Sequence, residues 1–543
     1  MKPKIIPVLF WLLWMAVNAR AEAVWQWSVP LDSSRAFLWI PPGCEQVRAV
    51  VVGQNNMIEQ GILEHDFFRM EMAQLGIAEI FIAPPFETWQ TATNNDAANE
   101  KFDALLQTLA DESGYGELRF APVIPIGHSA MASYPWNFAA WNPARTLAIL
   151  SVHGDAPQTT MTGNGRPNLD WGNRNIDGIP ALMVMAEYEW IEGRLAPAFK
   201  FLAAHPATPV AMLAEPGRGH FDYSDDLVDF LALFIRKAAV ARLPENVSAG
   251  QPPVLKPVNP HDGWLVERWH LDQPRTVKPA PFAKYAGDKT EAFWAFDKET
   301  AWTMQNYRAR QIGKSPQLLG FVQDGKIVPQ TATHQQVNLK FEPETDGVTF
   351  PLVATFLDSV DGGSPNTTRW TGLPPGSPLG HAAGGAIKIT RISGPVEKIG
   401  KDTFRVRFDR VFSTTDRRNS DLWLLAEQPG DAKYKSAVQQ ALLKLPAFND
   451  GTEQHIVFKV IANQKVGTKS LALHAVSDSG RPVYFYVREG PAEMAGDTLR
   501  FTAVPPRAKF PVKIAVVAWQ LGRAGEPKLK TAEPVTQEFF LTK

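Results

Sequence analysis

One cysteine in 543 residues is the sharpest shortage in this chain, because a lone Cys44 excludes an intramolecular disulfide and leaves stability to core burial. Net charge is almost absent as well, with 55 Lys and Arg against 56 Asp and Glu and no run of one sign, so the electrostatic footprint of a nucleic-acid or polyphosphate binder is missing. Beyond the first two dozen residues no apolar stretch approaches the length of about 20 needed to span a bilayer. Phosphate-cradling glycine loops, zinc-ligand spacings and constant-period repeats are also missing, so neither cofactor nor metal is expected. His153 and Asp155 stand close together, but two potential ligands without a third at helical or hairpin spacing do not make a metal site.

The amino terminus reads as a leader. Lys2 and Lys4 precede an apolar run from Ile5 to Val17, and Ala19-Arg20-Ala21 supplies a small-x-small cleavage site, so residues 1–21 are expected to be a signal peptide. Pro41-Pro42-Gly43 before Cys44 is no lipoprotein box. Export with a single cysteine points to a bacterial periplasm or outer surface, with no membrane span left after leader removal.

What the chain does have is a strand-to-helix turn carrying a serine. Ala121-Pro-Val-Ile-Pro-Ile-Gly-His-Ser-Ala-Met-Ala-Ser133 is an apolar strand that runs into Gly127-His128-Ser129-Ala130, a geometry that lifts a hydroxyl out of the sheet and makes Ser129 the candidate nucleophile. A serine hydroxyl is inert until a base takes its proton, so a histidine and an acid are needed at later strand ends. Thr208 to Leu213 reads as a buried strand that empties into Glu215-Pro-Gly-Arg-Gly-His-Phe-Asp222, which supplies His220. Ile179 to Met185 is the strand before it, and Ala186-Glu-Tyr-Glu-Trp190 follows. For the acid, Glu187, Glu189 and Asp155 all lie where a strand ends. A tetrahedral oxyanion needs two backbone donors, expected from Ala130 after the nucleophile and from Gln54 in the turn Gly53-Gln-Asn-Asn56, with Asn55 as the neighbouring candidate.

Gly127 to Ala130, Met185 to Glu189 and Gly219-His220-Phe-Asp222 together resemble the α/β-hydrolase superfamily in the manner of secreted esterases, over roughly residues 24–243. The resemblance implies Ser129, Glu189 and His220 as a triad, with Glu189 selected because Ala186-Glu-Tyr-Glu corresponds to the Gly-x-x-Asp turn that many members place after the same strand. Two departures stand out. Met131 occupies a position where the common pattern has a small residue, and Pro135 falls early in the following helix, where it is expected to kink or shorten it.

Strands alternating with helices over residues 24–243 predict a doubly wound, mostly parallel sheet, with helices near 64–76, 99–112 and 225–242. A proline-rich linker and aromatic clusters follow over 244–310, expected to pack on the hydrolase domain, then all-β sandwich domains over 311–460 and 461–543. Pro482 to Trp519 resembles the immunoglobulin-like modules appended to secreted polysaccharide-active proteins. Since every candidate catalytic group precedes Leu243, a chain ending near Arg310 is expected to keep turnover on a small aryl ester.

Of 17 tryptophans, Trp89, Trp136, Trp171 and Trp190 fall in or beside loops at the carboxyl ends of strands, where the site of an open α/β sheet lies, and are candidate stacking platforms for substrate together with Asn55. The long polar stretch from Asp155 to Asp177 is expected to cap the site. These features point to a serine carboxylesterase that deacylates a polysaccharide or a small ester. The alternatives are a non-catalytic surface glycan-binding protein on a hydrolase scaffold, or a lipase, polyesterase or peptidase of the same fold. Nothing in the sequence selects an oligomeric state.

Overall fold

Short apolar runs of Val, Ile, Leu and Ala, buried on both faces, generate the central sheet. The computed structural model describes residues 24–85, 95–154, 156–158, 168–246, 250–412, 416 and 418–543. The expected leader at 1–21, Trp89 and Asp155 lie outside them. The strands are β1 Trp27–Leu31, β2 Ser34–Trp39, β3 Ala49–Gln54, β4 Ile77–Ala83, β5 Val123–His128, β6 Ile149–Val152, β7 Ala181–Ala186 and β8 Val210–Glu215. Their order in the sheet is β1-β2-β4-β3-β5-β6-β7-β8, with β1, β2 and β4 joined antiparallel and the rest parallel. Every residue of β3 to β8 is buried, as parallel strands covered on both faces must be. Within β3, Ala49 and Val51 join one core and Val50 and Val52 the other, because successive side chains point to opposite faces.

Helices cover both faces: α1 Glu59–Leu63, α2 Asp66–Leu75, α3 Asn95–Ser113, α4 Ser133–Trp141, α5 Ala196–Ala204 and α6 Asp225–Arg242. Helix α3 brings Phe102, Leu105, Leu106 and Leu109 to one core, while α2 and α6 bring Phe68, Met72, Leu231 and Phe234 to the other. Helix α6 starts where Ser224 Oγ accepts the Leu227 N–H at 3.0 Å, a side-chain cap for an otherwise unpaired donor. This is the α/β-hydrolase fold, and the predicted helices fall within a few residues of the observed ones. Pro135 does not kink or shorten α4. It is the third helical residue, where a backbone donor has no intrahelical partner to lose. Among the described residues, no helix is long and apolar enough to cross a membrane.

The aromatic segment after α6 packs back on this domain. Phe293 lies against Phe199 with ring centroids 5.0 Å apart, and Trp269 against Trp190 at 4.4 Å. Its helix, Lys298–Ala309, begins with a reciprocal cap between Asp297 and Thr300. All-β layers follow. A four-stranded sheet of Val337–Leu339, Ala437–Lys444, Asp421–Gln428 and Lys388–Ser393 shares a core with the three strands Thr349–Pro351, Thr403–Val406 and Val396–Lys398. A second pair of sheets spans Gln464–Lys465 to Val535–Thr542, and its Tyr486, Val517 and Trp519 reach into the preceding core. The β region is not a pendant. Trp370, Trp423, Leu425 and Val438 belong to the same apolar core as the hydrolase strands.

Candidate active site

The site begins with backbone strain at the end of β5. Ser129 has φ of 52°, a left-handed conformation that costs a non-glycine residue about 1–3 kcal/mol and persists only where the surroundings over-determine it. Gly127 makes the turn possible, since a Cβ there would stand 2.1 Å from the Met131 carbonyl oxygen. The close approach expected at the fifth position of the turn is thus carried by Gly127, and the Met131 side chain is free to fill the core, where it is buried.

Ser129 Oγ donates to His220 Nε2 at 2.6 Å, and His220 Nδ1 donates to Glu189 Oε2 at 2.7 Å. Glu189 stands in a short 3-10 turn after β7, and His220 in the loop after β8. The order fixes the tautomer: with Nδ1–H held by a carboxylate, Nε2 is the basic nitrogen and faces the serine hydroxyl. Burial lowers the His220 pKa, against the opposing pull of Glu189. Burial would raise the Glu189 carboxyl, but the His220 and His334 rings facing it hold it well below the usual carboxylate range. Arg194 Nη1 adds a bond to the Glu189 backbone carbonyl at 3.2 Å and lies 3.7 Å from Oε2.

Glu187 is engaged elsewhere. Its Oε2 accepts the Gly217 N–H at 2.6 Å, and its Oε1 lies 3.5 Å from Lys435 Nζ, so it braces the histidine loop. Asp155, the third acid considered, is outside the described residues.

Two further histidines fix the His220 backbone. His128 Nε2 and His153 Nδ1 both donate to the His220 carbonyl oxygen, at 2.7 and 2.9 Å. His128 Nδ1 accepts from Asn56 Nδ2 at 3.2 Å, which makes it neutral, and burial lowers its pKa well below the ordinary value. His153 faces acceptors through both nitrogens, with Glu215 Oε2 2.8 Å from Nε2. Burial opposes its charge, yet the Glu215 bond raises its pKa. His153 is therefore bound into the site's scaffold by an ion pair. Glu59 does comparable work at the β3 loop, taking the N–H groups of Asn56, Met57 and His128.

Gln54 ends β3, one residue beyond the Gly53–Ile126 pair in register, which sets it beside the turn that holds Ala130. The Asn55 N–H is taken by the Ile82 carbonyl at 2.8 Å, so Asn55 offers its side chain to the cleft and not its backbone to an oxyanion.

The tryptophan platforms need correction. Trp136, Trp171 and Trp190 are at most 2% exposed. Trp171 is held by Asn137 Oδ1 at 2.8 Å, and Trp190 is covered by Trp269. Their apolar area gains more from core burial than from a wet cleft wall, and no face is left for substrate. The aromatic ring on the triad is Phe221, 4.6 Å from His220, with Trp423 of the β region 4.7 Å behind it. Of the stretch expected to form a cap, 159–167 lies outside the described residues, while Leu169, Trp171 and Ile176 are core.

The β region enters the site directly, against the expectation that the chemistry is confined to residues before Leu243. His334 Nδ1 donates to Glu189 Oε1, and its ring lies parallel on His220 with centroids 4.1 Å apart and 15° between planes. Arg418 Nη1 reaches Asn56 Oδ1 at 3.2 Å. The histidine loop needs glycine where the β region approaches it: Gly217 has φ of 68°, and a Cβ there would stand 2.8 Å from the Ser436 carbonyl oxygen. A small cleft of about 70 Å³, open to solvent, lies between the β3 loop and this region, lined by Asn55, Asn56, Arg418, Asn419, Asp421 and Trp423 among others and by none of Ser129, Glu189 and His220.

Glu189, His220 and His334 are also the one group among the described residues whose ligand atoms, all within 4.8 Å of one another, suit a metal ion. Both Nδ1 atoms already donate to the carboxylate, so an ion there would take His220 off its acid. Nothing local in Thr331-Ala332-Thr333-His334 announces this role. His128, adjacent to Ser129, was in plain view in the sequence.

No family model matches the chain, and no curated protein matches it. Solved structures do. A soluble variant of monoglyceride lipase from Saccharomyces cerevisiae, in complex with a substrate analogue, is 10% identical over 41% of this chain and 98% of its own, with a TM-score of 0.28. Dienelactone hydrolase from Anabaena variabilis is 13% identical over 40% and 95%, with a TM-score of 0.26. A highly thermostable carboxyl esterase from Bacillus coagulans, in complex with glycerol, is 10% identical over 39% and 97%, with a TM-score of 0.27. At such identities and scores function cannot be carried over, and the α/β-hydrolase fold rests on this chain's own strand order and crossovers.

Proposed function

We propose that this chain is a serine hydrolase that cleaves carboxylic esters through an acyl-enzyme. The observation that carries the reading is the unbroken relay from a strained Ser129 through His220 to Glu189 at the carboxyl edge of a parallel sheet. In the first half-reaction Ser129 Oγ attacks the ester carbonyl while His220 Nε2 takes its proton. The oxyanion develops between the turn that holds Ala130 and the end of β3 at Gln54. Collapse expels the alcohol, which receives the proton from His220. Water then repeats the sequence on the acyl-serine, releasing the acid and restoring the hydroxyl. Glu189 keeps Nδ1–H in place and stabilises the imidazolium in both halves.

The finer reading is an exported enzyme that removes acyl groups from a polysaccharide. It is supported by the leader composition, with the amide, carboxylate and guanidinium groups of the neighbouring cleft as candidate contacts for sugar hydroxyls. The immunoglobulin-like resemblance of Pro482 to Trp519 belongs to this proposal as well.

The test is a fluorophosphonate probe, which should label Ser129 in the full chain and not in Ser129→Ala. That variant should lose ester hydrolysis by a factor on the order of 10⁶ with its melting midpoint little changed. Activity within tenfold of the parent would remove Ser129 from the mechanism, and an unlabelled, inactive parent would favour the glycan-binding scaffold. Acetylated, feruloylated and glucuronoyl-esterified polysaccharides, set against short- and long-chain aryl esters, separate the polysaccharide reading from a lipase or polyesterase.

A further inference from the structure

We propose that His334, delivered by the β region, is a positioning residue of the hydrolytic site: it holds the Glu189 carboxylate by the oxygen that His220 does not use and covers the outer face of the His220 ring. The inference rests on the Ser129-His220-Glu189 reading above.

Three observations carry it. The first is the contact itself: His334 Nδ1 on Glu189 Oε1, and two imidazole planes nearly parallel at 4.1 Å. The second is strain. His334 and Gln335 have φ of 56° and 60°, consecutive left-handed residues that each cost about 1–3 kcal/mol, and neither is glycine. The third is the brace that maintains this strain. Gln335 Nε2 donates to Thr367 Oγ1 at 2.7 Å, Thr367 Oγ1 to Gln330 Oε1 at 2.7 Å, Gln330 Nε2 to Gln439 Oε1 at 2.8 Å, and Gln439 Nε2 to the Gln335 carbonyl at 2.7 Å. These bonds close a ring through largely buried groups, so the turn has one conformation, and that conformation aims His334 at Glu189.

The chemistry explains why imidazole suits the position. Glu189 must offer the same oxygen to His220 in both half-reactions, and a carboxylate anchored through only one oxygen can rotate away from it. An imidazole can supply a single N–H donor to the second oxygen without carrying a fixed charge, which preserves the negative charge that the His220 imidazolium requires. A lysine or arginine there would add a second cation to Arg194, which already lies 3.7 Å from Oε2, and offset more of that charge. The stacked ring also keeps water from the Glu189–His220 bond, which strengthens it electrostatically. Around His334 the charged or titratable groups are Glu189 and His220 in contact, with Arg194 3.7 Å from Glu189 Oε2 and Arg369 within electrostatic reach of that carboxylate.

The experiment uses the full chain, a small aryl ester, and the variants His334→Ala, His334→Asn and Ser129→Ala. The Ala variant should lose about 10²-fold in kcat, the scale of a small misplacement of a catalytic group, with KM moved less than about threefold and fluorophosphonate labelling slowed in parallel. The Asn variant retains an N–H donor and should recover kcat to within about fivefold of the parent. In both variants the acid limb of kcat/KM should move to higher pH, because uncovering the His220 ring lessens the burial that lowers its pKa. A kcat within about twofold of the parent in the Ala variant overturns the proposal. So does a folded Asn variant that is no better than Ala, or a loss confined to KM. Should the Ala variant fail to fold by circular dichroism, the Asn variant decides alone: near-parental kcat with the shifted limb supports the role, and loss of kcat or an unmoved limb refutes it. Parental turnover in Ser129→Ala would sink the underlying reading itself, and the positioning role with it.

Discussion

Glu189→Gln isolates the electrostatic share of the proposed mechanism, because it preserves side-chain shape and an oxygen acceptor while deleting one charge. His220 becomes an imidazolium as Ser129 attacks, and Glu189 Oε2 lies 2.7 Å from its Nδ1. With charge centres about 4 Å apart and an effective dielectric of about 20, the lost attraction is about 4 kcal/mol, or about three decades in rate. The amide also presents an N–H₂ group that can turn toward Nδ1 and favour the wrong tautomer, which brings the expected fall in kcat to about 10⁴. Steady-state hydrolysis of p-nitrophenyl acetate and the rate of fluorophosphonate labelling should fall together, since both require the activated serine. Glu187→Gln is the control. It leaves the relay intact and weakens a bond to Gly217 and an ion pair with the buried Lys435, so it should cost about 1–3 kcal/mol of stability and little kcat. Glu189→Gln within tenfold of the parent would refute the reasoning. An equal collapse in Glu187→Gln would transfer the role of the acid, and a collapse confined to Asp155→Asn would give it to that residue.

A chain ending at Arg310 should be insoluble or unfolded, because it loses Trp370, Trp423, Leu425 and Val438 from the core shared with the hydrolase strands, along with the Arg35–Glu489 and Arg507–Glu117 ion pairs; a folded truncation with parental kcat would contradict this. The pH profile follows from burial of His220. Its pKa is lowered, so the neutral base persists as pH falls through about 6.5, and the acid limb of kcat/KM should lie below that value; a limb above it would contradict the assigned base. Glu189, held well below the carboxylate range, should not produce that limb.

Much of the hydrolase fold was legible in the sequence because it is written in local patterns. Buried parallel strands are short apolar runs, their helices carry apolar residues at 3.6-residue spacing, and the turn at Gly127 to Ala130 has few other uses between a strand and a helix. Ser129 and His220 could be nominated as strand-end residues in the right order. Glu189 was separated from Glu187 only by resemblance, since two residues of one short turn differ in what they touch and not in any local signal. The structure supplies the physical difference: one carboxylate faces His220, the other the Gly217 backbone.

The tryptophans were misplaced for a related reason. Position beside a strand end says where a residue leaves the sheet, but not whether its ring turns inward, and packing turned Trp136, Trp171 and Trp190 inward. What the sequence by itself determined is the set of elements and the candidate residues at the strand ends, because backbone sterics and hydrophobic periodicity act over a few residues. Only the tertiary structure decided that the site is finished from the far half of the chain. His334 is 145 residues from Glu189 and Arg418 is 362 from Asn56, and contacts of that span are selected by how sheets bury their faces against one another, a sum over the whole core that no short segment records.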